Sequence, residues 1–348
     1  TQPIAHSTIL VDHNQQSQRV GDPLRFIEGF DNHAFIHHFL DGSGAAFSCG
    51  NIGRLYWGKV KEIRRNVLYL KPRTILMLDT VFPAEKDADV TLLFQTDHLQ
   101  DIQPSQAMSK ITKGKNILFI KHLYPEKIEI KAEETPHYIN TLKNEMPLTK
   151  EGMLTVTART SNEPLVIANL LGTEGIEKAT IEKGEGFISG NANGKDFAFS
   201  AKPGHSYQTA GLTTDALAVT WDKDNIFAAL CTSLEKDGKL LLQSQKPLTA
   251  EVGEKSLKYY LAEASIVSIG VSSRPPKINL NGKTAKNFKY DEGKKIIILS
   301  LPEGEGFVSL ETESSSLVVR KHAASLPAAA RRENTFVTFK EDVRGYVS

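Results

Sequence analysis

The sequence predicts an all-β chain: a large antiparallel β-sandwich followed by a smaller antiparallel β-domain. Three observations carry this expectation. Short apolar or β-branched runs recur along the chain, each bounded by Gly, Pro, Asn or Asp, and such runs read as strands. Turn signatures of the Asp-Gly and Asn-Gly type stand between several of them. Sustained helical periodicity is almost absent, and many short strands at near-even spacing argue for a sandwich.

The elements follow in order. Val67–Leu70 leads through Lys71-Pro72 to Thr74–Leu78. Val90–Phe94, Ile117–Ile120, Met153–Ala158 and Leu165–Leu171 come next, then Leu217–Trp221, Ile226–Cys231 and Leu240–Gln243. Lys236-Asp237-Gly238-Lys239 predicts a hairpin between two of these runs. Gly184-Glu185-Gly186-Phe187 and Asn191-Ala192-Asn193-Gly194 flank a further strand. Leu257–Ala264 is the best helical candidate, and it is short. A boundary is expected near Lys246-Pro247, dividing residues 1–246 from a smaller domain over 247–320. In that domain Ala264–Val271, Ile278–Leu280, Lys295–Leu301 and Phe307–Leu310 read as strands, with Asn281-Gly282 as a turn. Arg274-Pro275-Pro276 is a stiff break. The tail over 321–348 lacks a clear sheet pattern, with Thr335–Phe339 as its one candidate strand.

Length and charge bound the function. The 348 residues suggest two domains of ~150 residues each. Lys plus Arg number 42 and Asp plus Glu 41, a net charge of +1. That balance gives no general attraction to nucleic acid, so an anionic partner needs a local site. No apolar run approaches the ~18–20 residues of a membrane helix. Cys49 and Cys231 are too few for a disulfide framework; they read as two buried thiols or one bridge. The chain has no initiator Met and no visible signal peptide, so it reads as a cut or processed piece.

Chemistry-bearing residues concentrate in the first hundred positions. His6, His13, His33, His37, His38 and His98 lie there, with Asp12, Asp22, Asp31 and Asp41 among them. Histidine is the common metal ligand and proton carrier near neutral pH. Two histidines and one carboxylate from separated turns would suit zinc, although no compact zinc spacing is present. Within Ala34–Phe39, strand alternation would send the His37 and His38 rings to opposite faces, His38 sharing its face with Ile36. Tyr56-Trp57 precede Lys59, Lys61, Arg64, Arg65, Lys71 and Arg73. Aromatic rings beside cations suit sugar stacking and carboxylate pairing, and a strand with a solvated basic face accounts for the same pattern. No Walker-type phosphate loop, HExxH or GxSxG motif occurs.

Taken in order, these residues resemble a family. Ile4-Ala5-His6-Ser7-Thr8-Ile9-Leu10-Val11-Asp12 is similar to the strand that opens the β-sandwich of heparinase II/III-like polysaccharide lyases. Tyr56 to Pro72 (Tyr-Trp-Gly-Lys-Val-Lys-Glu-Ile-Arg-Arg-Asn-Val-Leu-Tyr-Leu-Lys-Pro) resembles that family's Tyr-x-x-Lys-Val segment. Ile75–Val81 and Val90–Gln95 resemble the two strands that follow. Asn281-Gly282-Lys283 and Leu301-Pro302-Glu303-Gly304 are similar to parts of the closing β-domain. The likeness is specific over about residues 4–100 and looser beyond.

The resemblance implies a bacterial periplasmic or secreted enzyme that cleaves an acidic polysaccharide by β-elimination. Heparan sulfate, alginate, hyaluronan and bacterial exopolysaccharides all fit that chemistry. The uronate carboxylate must be neutralised, a base must take the C5 proton, and an acid must protonate the leaving O4. It further implies an N-terminal (α/α) toroid as partner domain, which carries most catalytic groups and which this sequence lacks. His6 and Tyr56 are the catalytic candidates on this chain, and Trp57 and Arg64 the substrate-binding ones. Zinc is expected at His6, Asp22 and His38, with Asp31 and His37 as alternates, mainly as a structural clip for the loop of residues 12–40. The sequence departs from the pattern at Ser7, where Asn is common, and at Gln95, where His is common. No tyrosine precedes Tyr56. A carbohydrate-binding sandwich without catalysis is the alternative reading, and a structural adhesin-like protein the plainer one.

Overall fold

Short segments that alternate between buried and exposed side chains build this protein from strands throughout. The computed structural model describes residues 7–12, 35–52, 56, 60–84, 86–135 and 150–311. Among them there is no α-helix, and 3-10 turns stand at Leu99–Asp101 and Ile176–Lys178. His6, His13, Asp22, Asp31, His33 and Trp57 lie outside the described residues, as does the tail with Thr335–Phe339.

Among the described residues all strand pairs are antiparallel, in three sheets. The first has the order β1-β6-β11-β10, where β1 is Ile9–Val11, β6 Asp89–Thr96, β10 Glu129–Glu134 and β11 Gly152–Arg159. The second has the order β2-β3-β4-β5-β12-β9-β8-β7. Here β2 is Phe35–Asp41, β3 Ala45–Asn51, β4 Val60–Leu70, β5 Thr74–Pro83, β7 Ile102–Gln103, β8 Met108–Lys113, β9 Asn116–Tyr124 and β12 Leu165–Gly172. Ile9, Val90, Leu92 and Val156 of the first sheet close one core against Ile63, Val81 and Ile167 of the second. The other face of the second sheet (Leu40, Phe47, Leu68, Leu78 and Leu170) meets Phe197, Phe199 and Phe227 of the third. The second sheet is therefore covered on both faces, which explains why Leu76-Met77-Leu78 is continuously apolar where a half-exposed strand would alternate.

The third sheet is large and folds on itself. Its path begins β13 (Thr180–Gly184), β14 (Phe187–Ala192), β15 (Lys195–Ser200), β18 (Ala218–Trp221) and β19 (Asn225–Lys236). It continues through β20 (Lys239–Gly253), β21 (Ser256–Leu261) and β27 (Gly304–Glu311) to β23 (Lys277–Leu280) and β24 (Lys283–Thr284). The first part of β20 also pairs with β22 (Ser265–Gly270), which leads to β26 (Ile296–Leu301) and β25 (Phe288–Asp291). The two layers bury Leu234, Leu242, Leu248, Tyr259, Val267, Leu299 and Val308 between them. The boundary expected near Lys246-Pro247 falls inside β20, whose first half pairs with β22 and second half with β21.

The turn readings hold. Lys236 pairs with Lys239 across Asp237 and Gly238, which adopt φ of 50° and 71°. Asn193-Gly194 and Asn281-Gly282 make the same left-handed pairs, at 52° and 77° and at 51° and 77°. Gly184 pairs with Phe187 in the β13–β14 hairpin. The helical reading of Leu257–Ala264 is corrected: residues 256–261 form β21. Leu257, Tyr259 and Leu261 are buried while Ser256, Lys258 and Tyr260 are partly exposed, a period of two that the short run of mixed residues hid. Both cysteines are buried and free.

The β2–β3 turn fastens the second sheet to the third. The Ser43 N–H and hydroxyl both donate to Glu251 Oε1, at 2.8 and 2.7 Å. Lys258 Nζ donates to the Asp41 carbonyl at 2.6 Å, and Lys71 Nζ to the Gly42 carbonyl at 2.6 Å.

Candidate functional site

A single extra residue in β2 creates the site. Ile36 stands opposite Gly50, yet His38 stands opposite Cys49, so His37 has no counterpart on β3. A β-bulge of this kind reverses the facing of the residues beyond it. Ile36 is consequently 68% exposed while His38 turns inward beside Cys49. The expectations from alternation are both corrected: His38 does not share a face with Ile36, and the two histidines line one cavity.

That cavity has a volume of about 390 Å³ and lies between two walls. The second sheet contributes His37, His38, Glu62, Arg64, Asn66 and Thr80. The third contributes Asp215, Leu217, Leu230, Thr232 and Pro247. Such a mixed lining on a concave surface between layers is the usual setting of a ligand site.

The electrostatics are closely matched. Arg64 forks onto Glu62 through Nε–Oε1 and Nη2–Oε2 contacts of 2.8 Å each, and its guanidinium lies 5.2 Å from the centroid of Phe82. Asn51 Nδ2 donates to the same Glu62 at 2.7 Å. Its hydrogen bonds to Glu62 raise the Arg64 pKa above its ordinary value. Across the cavity, Asp215 Oδ1 accepts the N–H groups of Thr232 and Ser233, at 2.8 and 2.9 Å, and Oδ2 accepts the Thr232 hydroxyl.

His38 sits edge-on to Tyr260, with ring centroids 5.3 Å apart. Neither ring nitrogen has a hydrogen-bond partner among the described residues. Burial, followed by the charges of His37 and Arg64, pushes its pKa down to about 4, so the ring is neutral near pH 7. Burial likewise pushes the Cys49 thiol up to about 11, which keeps it protonated and a poor nucleophile.

The other expected residues are placed as follows. Tyr56 is 3% exposed, within the core between the first two sheets, and its hydroxyl donates to the Ile9 carbonyl. Serving as an acid would require that hydroxyl to leave this bond. Arg64 lines the cavity with its charge already met by Glu62. For zinc, the two uncommitted nitrogens of His38 fit a metal ligand. Its expected companions His6 and Asp22 are outside the described residues, and within those residues no three His, Cys, Asp or Glu side chains gather.

Sequence reasoning missed several groups. Asn66, Thr80 and Asp215 reach the cavity through strand pairing and long-range packing, which carry no local signal. Arg65 and Asp79 form an ion pair, Nε–Oδ1 at 2.7 Å, with Asp79 fully buried. Both stand in the segments that carry the resemblance, so their pairing was within reach. A second histidine network joins three strands: His122 Nδ1 donates to Asn169 Oδ1 at 2.7 Å, and His122 Nε2 meets the Ser109 hydroxyl at 3.0 Å. Its order imitates a nucleophile relay, but Ser109 is 0% exposed and no substrate reaches it.

No family model matches the chain, and no curated protein matches its sequence. Among solved structures, heparan sulfate lyase from Pedobacter heparinus is similar at 13% identity and a TM-score of 0.42, over 55% of this chain and 29% of that one. A heparinase III structure is similar at 9% identity and 0.41, over 57% and 29%. Chondroitin AC lyase from Streptomyces coelicolor, in complex with chondroitin sulphate, is similar at 10% identity and 0.40, over 78% and 36%. This chain thus spans about a third of the length of those structures.

Proposed function

We propose that this chain is the β-sandwich part of a polysaccharide lyase that opens a uronic-acid-containing polysaccharide by β-elimination. One observation carries the reading. The four segments that carry the resemblance meet in space: β1 pairs with β6, β4 pairs with β5, and the two pairs enclose one core. The Tyr56 hydroxyl ties the start of the second segment to Ile9 of the first. Residues scattered over positions 9–95 thereby build one wall.

In this reading His6 and Tyr56 handle the protons of the elimination, with Tyr56 exchanging its Ile9 bond for the leaving oxygen. Trp57 stacks on a sugar ring, and Arg64 contributes positive charge near the uronate. His6, Asp22 and His38 would hold a zinc ion whose role is structural, a clip that ties the loop of residues 12–40 to the first strand. An N-terminal helical domain supplies the remaining catalytic groups, and the protein works in the periplasm or outside the cell.

Binding without cleavage is the second reading. It is favoured by the engagement of Arg64 with Glu62 and of Tyr56 with Ile9. The discriminating experiment follows ultraviolet absorbance of unsaturated uronate when the native polypeptide meets heparan sulfate, hyaluronan, chondroitin sulfate or alginate. The lyase reading expects a rise with one of them, abolished in His6→Ala. Binding with no rise for any substrate moves the assignment to a carbohydrate-binding sandwich.

A further inference from the structure

The chain is close to neutral as a whole, yet its positive charge is not evenly spread. Residues 274–295 hold seven cations (Arg274, Lys277, Lys283, Lys286, Lys289, Lys294 and Lys295) against two carboxylates, Asp291 and Glu292. That stretch has a net charge of +5 in a chain whose total is +1. Lys277 is paired with Glu311 at 2.8 Å. The other six cations are exposed, and none has an ion-pair partner among the described residues.

The fold gathers them. β24 is the edge strand of one layer of the third sheet and β25 of the other. Residues 285–287 join these two edges directly, so Lys283 on β24, Lys286 in the connection and Lys289 on β25 follow one side of the sandwich. Each is three residues from the next, which keeps neighbouring backbones within about 11 Å. The carboxylates on the strands around them are engaged: Glu311 by Lys277 and Asn279, Glu305 by Lys258, and Asp291 by the Lys294 N–H. Lys294 and Lys295 follow in the β25–β26 turn. The Val271 N–H donates to the Lys295 carbonyl at 2.9 Å, which brings the connection that holds Arg274 beside that turn. There Glu292, and Glu254 on the cavity that Lys295 also lines, offset part of the charge. The excess therefore belongs to Lys283, Lys286 and Lys289.

Three unmatched ammonium groups in a row along an edge suit a linear polyanion, whose charges repeat along its length. A small anion would need an enclosing pocket. Lysine fits the task, because a hydrated point charge on a flexible stem follows a chain without demanding one geometry. The two aromatic residues of the stretch, Phe288 and Tyr290, pack against the core and do not form the stacking platform of a single-stranded nucleic acid site. We propose that Lys283, Lys286 and Lys289 form an anchoring site for an acidic polysaccharide chain on this edge of the third sheet. The proposal rests on the lyase reading above for the identity of the polyanion; the site binds through charge and takes no part in the elimination.

The test is titration calorimetry on the full chain with a dextran sulfate oligomer at about 0.1 M salt. Dextran sulfate has the charge of an acidic polysaccharide but no uronate, so β-elimination cannot consume it. The triple change Lys283→Gln, Lys286→Gln and Lys289→Gln removes the charge and keeps both edges polar, which leaves them guarded against pairing with other chains. The expected result is binding that weakens by about tenfold in this variant, with a shallower salt dependence, and that arginine at the three positions restores. The comparison variant removes as much charge elsewhere: Lys115→Gln, Lys127→Gln and Lys178→Gln, all at exposed positions, should bind as the parent does. No binding, or an equal loss in both glutamine variants, overturns the proposal. A thymidine oligonucleotide that binds as tightly as dextran sulfate also overturns it, because the edge would then hold any polyanion. The outcome separates from that of the lyase reading. Unsaturated product from a chain whose binding ignores the three lysines refutes only this proposal, and binding through the three lysines without unsaturated product refutes only the lyase.

Discussion

Asp79 places a carboxylate inside the second sheet. Its carboxylate is fully buried and takes two contacts from Arg65, at 2.7 and 3.1 Å. Asp79 is fully buried whereas the Arg65 side chain is 26% exposed, so the costly change is Arg65→Met, which strands the buried carboxylate and should lower stability by about 3 kcal/mol in urea denaturation. Replacing both residues by apolar ones (Arg65→Met with Asp79→Leu) should recover most of that loss, because no buried charge is then left unmatched. A double variant as unstable as the single one would show that the pair itself, and not the stranded charge, sets the cost. The histidines add a pH dependence. Burial lowers the pKa of His122 below the ordinary histidine value, outweighing its bond to Asn169. Below about pH 6.5 the unfolded chain therefore binds the proton that the folded chain refuses, and stability falls as pH drops through that window. Above it the contribution is complete. His122→Asn should flatten this acid limb in denaturation midpoints between pH 7.5 and 5; an unchanged limb would assign the loss to other groups, His38 foremost. At this scale the sequence was least legible. It offered His38 and Arg64, yet Asn66, Thr80 and Asp215 became site residues only through strand pairing and packing against segments distant in sequence.

Among the elements, the hairpins were the most legible because their turns declare themselves. Asp237-Gly238 and Asn281-Gly282 need left-handed backbone at both positions, and few residue pairs accept it. Gly238 shows the energetic content cleanly. A Cβ there would meet nothing within 4 Å, so Gly238→Ala should cost about 1 kcal/mol through its φ of 71° alone. Gly270 in β22 is the contrast. Its backbone is ordinary, but a Cβ would lie 1.7 Å from the Leu240 carbonyl oxygen, so β22 and β20 would have to separate. Gly270→Ala should therefore lower the melting temperature more than Gly238→Ala; the reverse order would mean that β20 yields easily. The strand β21 was misread because six residues sample both periods, and the bulge in β2 was invisible. A bulge is fixed by the register against β3, and Phe-Ile-His-His-Phe reads as a regular strand in isolation.

For the whole molecule, the layered arrangement explains where a site can form. The second sheet is covered on both faces by apolar cores. Its inner face turns polar only near the edge, where the bulged β2 and the bases of β4 and β5 face the third sheet. Turns such as Ser43 on Glu251 hold the two walls together, so the cavity is part of the packed assembly and not a surface dent. If zinc clips the wall as proposed, purified protein should carry one equivalent by elemental analysis, and a chelator should lower its melting temperature. Protein free of zinc and indifferent to chelator would remove the metal while leaving the cavity intact. The all-β class and most strands were readable from composition and turns, whereas the stacking of layers was not, because it depends on which faces meet. Mass spectrometry of the products tests the elimination chemistry most directly. The native polypeptide would be incubated with each acidic polysaccharide and the released fragments weighed. Elimination predicts fragments ending in an unsaturated uronate, each lighter by one water than the corresponding hydrolysis product. Fragments at the hydrolytic mass, or no fragments from any acidic polysaccharide, would contradict the account.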